Sequence, residues 1–173
     1  MKKVYLLLAL LIVLLVFLSG CGKEDKESKG KIVINTPLSG SERTFIDTGE
    51  DICTQGGKPI IREFGTTWCP HCQWIKETFA SVVSEYEDDG VIIAYQWDVD
   101  IGDNALTEEV ETAVLDSEMQ IFAAYNKEGS VPTFVFGCKY LRVGNGYELQ
   151  GNLAAEEIEF REIIEELISA QNN

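Results

Sequence analysis

The sequence is poor in proline and in basic residues, and its 173 residues include one histidine and two methionines. With 45% hydrophobic residues, 4 prolines and 15 glycines, it has enough apolar material for one packed core, which excludes a disordered chain and a collagen-like repeat. Its apolar runs are too short for a protein with several membrane spans. The net charge of −15, from 14 basic and 29 acidic residues, excludes a general nucleic-acid binder.

Residues 1–20 are typical of a targeting signal. Two lysines precede an apolar run at residues 4–18, which is shorter than the ~20 residues that a spanning helix needs. The residues before Cys21 resemble a lipoprotein signal, whose cleavage would leave Cys21 as the lipidated terminus. The alternative is an uncleaved signal anchor in which Cys21 is an ordinary thiol. Both predict a protein anchored to the membrane on the extracytoplasmic side, periplasmic or at the cell surface.

The segment after the signal is predicted to be a tether. Residues 22–31 consist of glycine, serine and charged side chains and cannot bury an apolar surface. Residues 21–31 are therefore predicted to be a lipidated cysteine and a flexible linker with a reach on the order of 17 Å. Residues 32–173 are predicted to form one domain, and the absence of an obvious dimerisation module favours a monomer.

Hydrophobic periodicity in this domain predicts alternating strands and helices. Short apolar runs predict strands at about residues 32–34, 59–64, 91–99, 133–136 and 140–143. Amphipathic spacing predicts helices at about residues 75–86, 106–114 and 117–125, and a last helix after the N-cap residue Asn152. The core-facing residues of this last helix are predicted to be Ile158, Ile163, Ile164, Leu167 and Ile168. The order predicts an α/β domain, with a central mixed β-sheet flanked by helices.

The clearest chemical signal is Cys69-Pro70-His71-Cys72, where the buried strand gives way to a helix. The free N–H groups and partial positive charge of a helix N-terminus favour a thiolate on Cys69, and a protonated His71 adds a donor and a charge nearby. Pro70 is tolerated at the first helical position, where its missing N–H would have no partner. Cys72 lies one turn further on, close enough to close a disulfide.

Two other interpretations of this motif are a zinc half-site and a purely structural disulfide. Structural zinc needs four nitrogen or sulfur ligands, and the chain has one Cys-X-X-Cys and a single histidine, so no metal is expected. A structural bridge of this spacing would constrain the unfolded chain little. A redox-active disulfide that needs no other cofactor is therefore favoured.

The motif lies within a longer stretch that is similar to a known family. Residues 63–72, Glu-Phe-Gly-Thr-Thr-Trp-Cys-Pro-His-Cys, resemble the active-site strand and turn of the thioredoxin superfamily, and the Pro-His pair is similar to that of DsbA-type thiol oxidases. The resemblance covers roughly residues 58–169 and includes residues 125–133, similar to the family's cis-proline loop. It implies a thioredoxin-like fold with a short acidic helical insertion before that loop, at residues 101–124.

The resemblance also implies how substrate is bound. Val131–Pro132 is expected to be a cis peptide bond packed against the disulfide, with the Val131 backbone pairing to an extended substrate chain. Trp68 is expected to lie beside the disulfide as part of the same binding surface. The longer segment at residues 101–124 is expected to reshape one wall of this groove.

Glu63 occupies the position of the family's buried acid. A carboxyl group buried there would have a raised pKa and would transfer a proton to or from Cys72. The alternative is a glutamate at the end of the strand, paired with its neighbour Arg62. Replacing Glu63 with glutamine distinguishes the two interpretations, because only proton transfer by Glu63 predicts altered rates of thiol-disulfide exchange.

Two further cysteines, Cys53 and Cys138, remain after the dithiol and Cys21 are assigned. In the thioredoxin arrangement the strands next to them are antiparallel neighbours. Both cysteines would therefore lie at the end of the sheet remote from the dithiol, and a structural disulfide between Cys53 and Cys138 is expected.

The acidic run at residues 98–118 contains no basic residue. A calcium loop is one interpretation, but the spacing lacks the order of ligands and the closing glutamate of such loops. A solvated helix face is the favoured interpretation.

These observations predict a membrane-tethered, extracytoplasmic thiol-disulfide oxidoreductase. It would donate the Cys69–Cys72 disulfide to thiols of secreted or envelope proteins as a dithiol oxidase, and an unidentified membrane redox partner would restore the disulfide. One alternative is a thioredoxin-like reductase or isomerase fed by a membrane electron donor. Another is a non-enzymatic lipoprotein that binds peptide or metal, although Met1 and Met119 are the only methionines available to a copper carrier.

Overall fold

The computed structural model describes residues 43–171. The predicted signal, Cys21, the tether, the strand at residues 32–34 and the predicted domain start at residue 32 lie outside the described residues. Within residues 43–171, no helix is both long enough and apolar enough to cross a membrane.

A mixed β-sheet forms the centre of the described domain. Its strands are β1 (Ile46–Asp47), β2 (Thr54–Gln55), β3 (Lys58–Gly65), β4 (Ile93–Asp98), β5 (Asp103–Asn104), β6 (Thr133–Phe136) and β7 (Tyr140–Val143). The order across the sheet is β1-β7-β6-β3-β4-β5, and β2 pairs with β3 outside this order. Strands β3 and β4 are parallel, whereas all other pairs are antiparallel. The sheet therefore has β3 near its middle, buried on both faces.

Within residues 43–171, three α-helices cover the two faces of the sheet: α1 (Pro70–Asp88), α2 (Asp116–Tyr125) and α3 (Leu153–Gln171). Alternate side chains of a strand point to opposite faces, and β6 shows the result. Phe134 and Phe136 pack with residues of α1 and α3 in the larger core. Val135 packs with Phe122 of α2 in a second core on the other face. A single-turn 3₁₀ helix at Glu148–Gln150 precedes α3.

Most of the predicted elements are confirmed, with differences at two helices. The strand pair β6 and β7 and the helices α1 and α2 occupy the predicted positions. Asn152 caps α3, since its Oδ1 accepts a hydrogen bond from Ala155 N at 3.1 Å. Ile158 was predicted to face the core and is only half-buried. Phe160, which the prediction omitted, is fully buried there.

The helix predicted at residues 106–114 is wrong, because this segment consists of bends and irregular backbone that follow a turn at Leu106. Its polar side chains bond to nearby backbone groups and so compete with helical hydrogen bonds. Glu111 N donates to Asp103 Oδ1 at 2.9 Å, and Asn104 N donates to Glu111 Oε2 at 3.1 Å. Thr107 Oγ1 donates to Asn104 O at 3.1 Å. The helical part of the acidic insertion is therefore α2 alone.

The solvated-face interpretation of the acidic run is wrong for two of its members. Asp98 and Glu118 are buried. Asp98 Oδ2 lies 2.9 Å from Lys76 Nζ, and Glu118 Oε2 lies 2.6 Å from Arg62 Nε. Because Arg62 pairs with Glu118, the alternative pairing of Arg62 with Glu63 is also wrong.

The predicted disulfide between Cys53 and Cys138 is present, with the two Cα atoms 5.4 Å apart. Cys53 O accepts a hydrogen bond from Ile60 N, near the start of β3. The Cys-X-X-Cys motif follows the other end of this strand. The disulfide is therefore remote from the motif, as the resemblance implied.

Candidate active site

Cys69 is the N-cap residue of α1. Its backbone is extended, with φ −76° and ψ 118°, and Pro70 is the first helical residue. The Sγ atom of Cys69 accepts a hydrogen bond from Cys72 N at 3.4 Å. The strand β3 ends at Gly65, and a short turn connects it to the cap. A sulfur atom thus occupies the place where a helix N-terminus offers its free N–H groups and partial positive charge.

Both cysteines of the motif are thiols in this structure and both are buried, with 4% of Cys69 and 5% of Cys72 exposed. Cys69 Sγ also donates a hydrogen bond to Val131 O at 3.8 Å. The Val131–Pro132 peptide bond is cis, the configuration that the resemblance implied. The structure therefore brings together Cys69, Cys72, Val131 and Pro132.

The loop that carries this cis peptide is fixed by a buried asparagine. Asn126 Nδ2 donates to Ser130 O and to Thr133 Oγ1, each at 2.7 Å. Thr133 Oγ1 in turn donates to Ser130 O at 2.7 Å. The loop is thereby held in one conformation beside Cys69.

Replacing Asn126 with alanine is expected to lower the free energy of unfolding by about 1–3 kcal/mol, because Thr133 and the Ser130 carbonyl lose a buried partner. Denaturant unfolding of the full chain measures this loss. Asn126→Asp keeps the size of the side chain and removes both donors, so it should destabilise the protein at least as much. Unchanged stability of the aspartate variant would show that these hydrogen bonds do not hold the loop.

Glu63 is buried in β3 and borders the same cavity as Cys72. This cavity measures about 90 Å³ and is also lined by Lys76 and Asp98. A Cβ atom added at Gly65 would lie 2.6 Å from Glu63 Oε1 and 3.4 Å from Cys72 Sγ, so the glycine keeps the space between them open. Burial, together with the nearby carboxylate of Asp98, raises the pKa of Glu63 to about 8. At neutral pH its carboxyl group is mainly protonated.

The thiol of Cys72 holds its proton strongly. Burial raises the pKa of the Cys72 thiol, and the hydrogen bond with Cys69 and the charge of Glu63 act in the same direction. Lys76, at the rim of the cavity, contacts Asp98 and keeps 38% of its side chain exposed. The cavity therefore extends from the buried sulfur of Cys72 to the partly exposed Lys76.

The side chain of His71 binds a residue that the sequence did not reveal. His71 Nδ1 lies 2.8 Å from Oε1 and 2.9 Å from Oε2 of Glu148. Asn145 Nδ2 donates to Glu148 Oε2 at 2.8 Å and to the backbone carbonyl of His71 at 2.9 Å. Partial burial acts to raise the pKa of Glu148, but the hydrogen bonds from Asn145 and His71 outweigh it, and the pKa is lowered.

Trp68 lies next to the dithiol, with 70% of its surface exposed. The turn that carries it is fixed on two sides. Thr67 N and Oγ1 donate to the Asp100 carboxylate at 3.0 and 2.5 Å, and Gln73 Nε2 donates to Thr67 O at 2.6 Å. Asp100 was another residue that the sequence analysis missed as part of the site.

No model of a known protein family matches the chain, and no curated protein matches it. Among residues 43–171, no group of three or more histidine, cysteine, aspartate or glutamate side chains is arranged to hold a metal ion. The function must therefore be inferred from the chemistry of the residues around Cys69.

Proposed function

We propose that this protein is a thiol-disulfide oxidoreductase of the thioredoxin superfamily that exchanges a Cys69–Cys72 disulfide with protein thiols. The observation that carries this proposal is the contrast between the two sulfur atoms. Cys69 Sγ caps α1 and contacts the cis-proline loop, whereas Cys72 is buried beside Glu63. One sulfur is thus placed to be attacked and the other to leave and take up a proton.

The exchange proceeds in two balanced steps. A substrate thiolate attacks Cys69 Sγ of the disulfide, so a mixed disulfide forms while Cys72 leaves with the electron pair of the broken S–S bond. A second substrate thiolate then attacks the substrate sulfur of the mixed disulfide, and Cys69 leaves as a thiolate. The substrate dithiol is oxidised to a disulfide, and the Cys69–Cys72 pair is reduced to a dithiol.

Glu63 supplies the proton that the first step requires. The thiolate of Cys72 is unfavourable because burial raises the pKa of this thiol. Glu63 has a pKa of about 8, so at neutral pH it holds a proton in the cavity that Cys72 borders. A carboxyl group with a pKa near the working pH is well suited to give and regain a proton. The carboxylate left behind lies near Lys76, whose charge favours it.

Substrate binding follows from the loop beside Cys69. The Val131 carbonyl already accepts a hydrogen bond from Cys69, so an extended chain that pairs with this backbone brings its own sulfur next to the reacting atom. The exposed Trp68, which immediately precedes Cys69 in the chain, provides an apolar surface for substrate. Because main-chain pairing tolerates many sequences, the expected substrates are protein thiols of varied sequence.

The direction of electron flow that we propose is that of a dithiol oxidase. The N-terminus of α1 stabilises the thiolate product, which makes the disulfide oxidising. We place the protein outside the cytoplasm, attached to the membrane through Cys21 or an uncleaved anchor, with secreted or envelope proteins as substrates. A membrane redox partner would restore the disulfide. The contact of His71 with the Glu148 carboxylate favours the second candidate, a reductase, because the carboxylate weakens any positive charge near Cys69.

The proposal is tested by equilibrating the full chain in detergent with glutathione buffers and mapping the oxidation state of each cysteine by mass spectrometry. The Cys69–Cys72 pair is expected to titrate as a two-electron couple, and its disulfide to oxidise a peptide dithiol in a one-to-one ratio. Cys69→Ser should abolish this reaction.

Cys72→Ser serves as the matched variant for the mechanism. It should leave the Cys69 thiolate able to attack the disulfide of the oxidised peptide, so that one peptide sulfur becomes bonded to Cys69 and the other leaves as a thiolate. This adduct should accumulate because Cys72 is not there to release it. A wild-type disulfide that never forms, or that transfers no oxidising equivalents to the peptide, would exclude the proposed function. A midpoint near −120 mV would identify an oxidase and one near −270 mV a reductase.

A further inference from the structure

His71 is held at two points by one short segment, which runs from Asn145, after β7, to Glu148, the first residue of the 3₁₀ helix. Asn145 Nδ2 binds the backbone carbonyl of His71, and Glu148 binds the imidazole Nδ1. Asn145 also binds Glu148 Oε2, which orients the carboxylate. The position of the His71 side chain is therefore set by residues that are 74 and 77 positions away in the sequence.

The contact with Glu148 changes the charge next to the dithiol in either protonation state of His71. A protonated imidazole with the Glu148 carboxylate is a neutral pair, and a neutral imidazole with the same carboxylate carries one negative charge. Without Glu148, the protonated imidazole would carry one positive charge and the neutral imidazole would carry no charge. Glu148 therefore takes away positive charge that would stabilise a thiolate on Cys69.

We propose that Glu148 is a positioning residue that sets the reduction potential of the Cys69–Cys72 pair by holding and neutralising His71. The inference rests on the proposed function. A less stable thiolate makes the reduced form less favourable and the disulfide less oxidising. Glu148 thus limits the oxidising power that the helix N-terminus and His71 would otherwise give, and places the protein between a strong oxidase and a reductase.

Other titratable groups surround the first turn of α1. Cys72 belongs to α1 itself, the buried Glu63 belongs to β3, and Asp100 follows β4 and binds Thr67 of the preceding turn. All of them are present in every variant of the test. Their titration therefore cancels when two variants are compared at the same pH.

The test is a double-mutant cycle on Glu148 and His71. The quantity measured is the equilibrium constant for thiol-disulfide exchange between the Cys69–Cys72 pair of the full-length protein and glutathione, from pH 5 to pH 8. Glu148→Gln retains an oxygen that can accept from His71 and removes the charge. Because Glu148 is partly exposed, the expected change is roughly threefold to tenfold toward a more oxidising disulfide at pH 5. A tenfold change corresponds to about 30 mV for this couple.

The same substitution is then made in a His71→Ala protein. There the effect of Glu148→Gln should be small, because only the direct influence of the carboxylate on Cys69 remains. Glu77→Gln, which removes an exposed carboxylate elsewhere on α1, is the control for net charge and should leave the equilibrium constant unchanged. Glu148→Ala provides a second removal of the same charge.

The possible outcomes separate the two proposals. If the wild-type dithiol does not equilibrate with glutathione at all, the proposed function fails and this inference with it. If the wild type equilibrates but neither Glu148 variant shifts the constant at any pH, the inference alone is overturned. An equal shift with and without His71 would assign a direct charge effect to Glu148 and would also overturn its action through His71.

Discussion

Replacing Glu118 with glutamine is expected to lower the free energy of unfolding by about 3–5 kcal/mol. Arg62 and Glu118 are both buried, and Arg62 donates two hydrogen bonds to Glu118. Its Nε donates to Oε2 at 2.6 Å, and its Nη2 donates to Oε1 at 3.0 Å. Glutamine keeps the shape of the side chain but removes the negative charge. The guanidinium group of Arg62 would then remain buried without a counter-charge, which is far less favourable than losing the pair as a whole.

The measurement is denaturant unfolding followed by tryptophan fluorescence. The matched control is the double variant Arg62→Met with Glu118→Leu, which removes both charges and should recover most of the lost stability. Glu128→Gln removes an exposed carboxylate and should change little. A loss below about 1 kcal/mol for Glu118→Gln would show that Arg62 is solvated or paired elsewhere in solution.

Glu63 is expected to make the stability of the protein depend on pH between about 4.5 and 8. Its pKa is raised from 4.5 to about 8 by burial and by Asp98, so in this range the folded protein holds a proton that the unfolded chain has released. The stability that this proton contributes is complete below about pH 4.5 and is lost as the pH rises through 8. The expected slope is a loss of about 1.4 kcal/mol per pH unit.

Glu63→Gln should abolish this slope, because glutamine does not titrate. The difference in unfolding free energy between variant and wild type isolates the contribution of Glu63, since the other groups are common to both. The variant should become progressively more stable than the wild type up to about pH 8, and the difference should then level off. A difference that is independent of pH would mean that Glu63 keeps an ordinary pKa.

The same variant tests the role of Glu63 in exchange. Without a carboxyl proton in the cavity, the departure of Cys72 from the disulfide should be slower at neutral pH, whereas Glu77→Gln should leave the rate unchanged. Exchange rates of Glu63→Gln that equal those of the wild type at every pH would exclude proton transfer by this residue. A more stable but slower protein is the expected combination.

The sequence could predict the parts of the fold that depend on local patterns. The apolar run of β3 and the helical spacing of α1 depend only on neighbours in the chain, and they place Cys69 at a helix N-terminus. The segment at residues 106–114 has a similar amphipathic pattern, but Asp103, Asn104 and Glu111 use their side chains to bond to nearby backbone groups. Hydrophobic periodicity does not show that these side chains compete with helical hydrogen bonds for the backbone groups, so it wrongly predicts a helix at residues 106–114.

Long-range pairs of charges could not be predicted for a different reason. Glu118 belongs to an acidic run that looks solvated, and only the packing of α2 on the sheet brings it to Arg62. Glu148 and Asn145 likewise have no motif that connects them with His71. The reacting cysteines could therefore be predicted from the sequence, whereas the residues that modify their electrostatics could not.

The capping of α1 by Cys69 connects redox chemistry to the unfolding equilibrium. The Cys72 amide donates to Cys69 Sγ, and an anionic sulfur accepts such a hydrogen bond more strongly than a sulfur in a disulfide. In a thermodynamic cycle of reduction and unfolding, any extra stability of the folded dithiol form must appear as extra oxidising power of the folded disulfide. Each 1.4 kcal/mol corresponds to about 30 mV for two electrons. The difference between the unfolding free energies of the two forms therefore gives the difference in reduction potential between the folded and the unfolded domain.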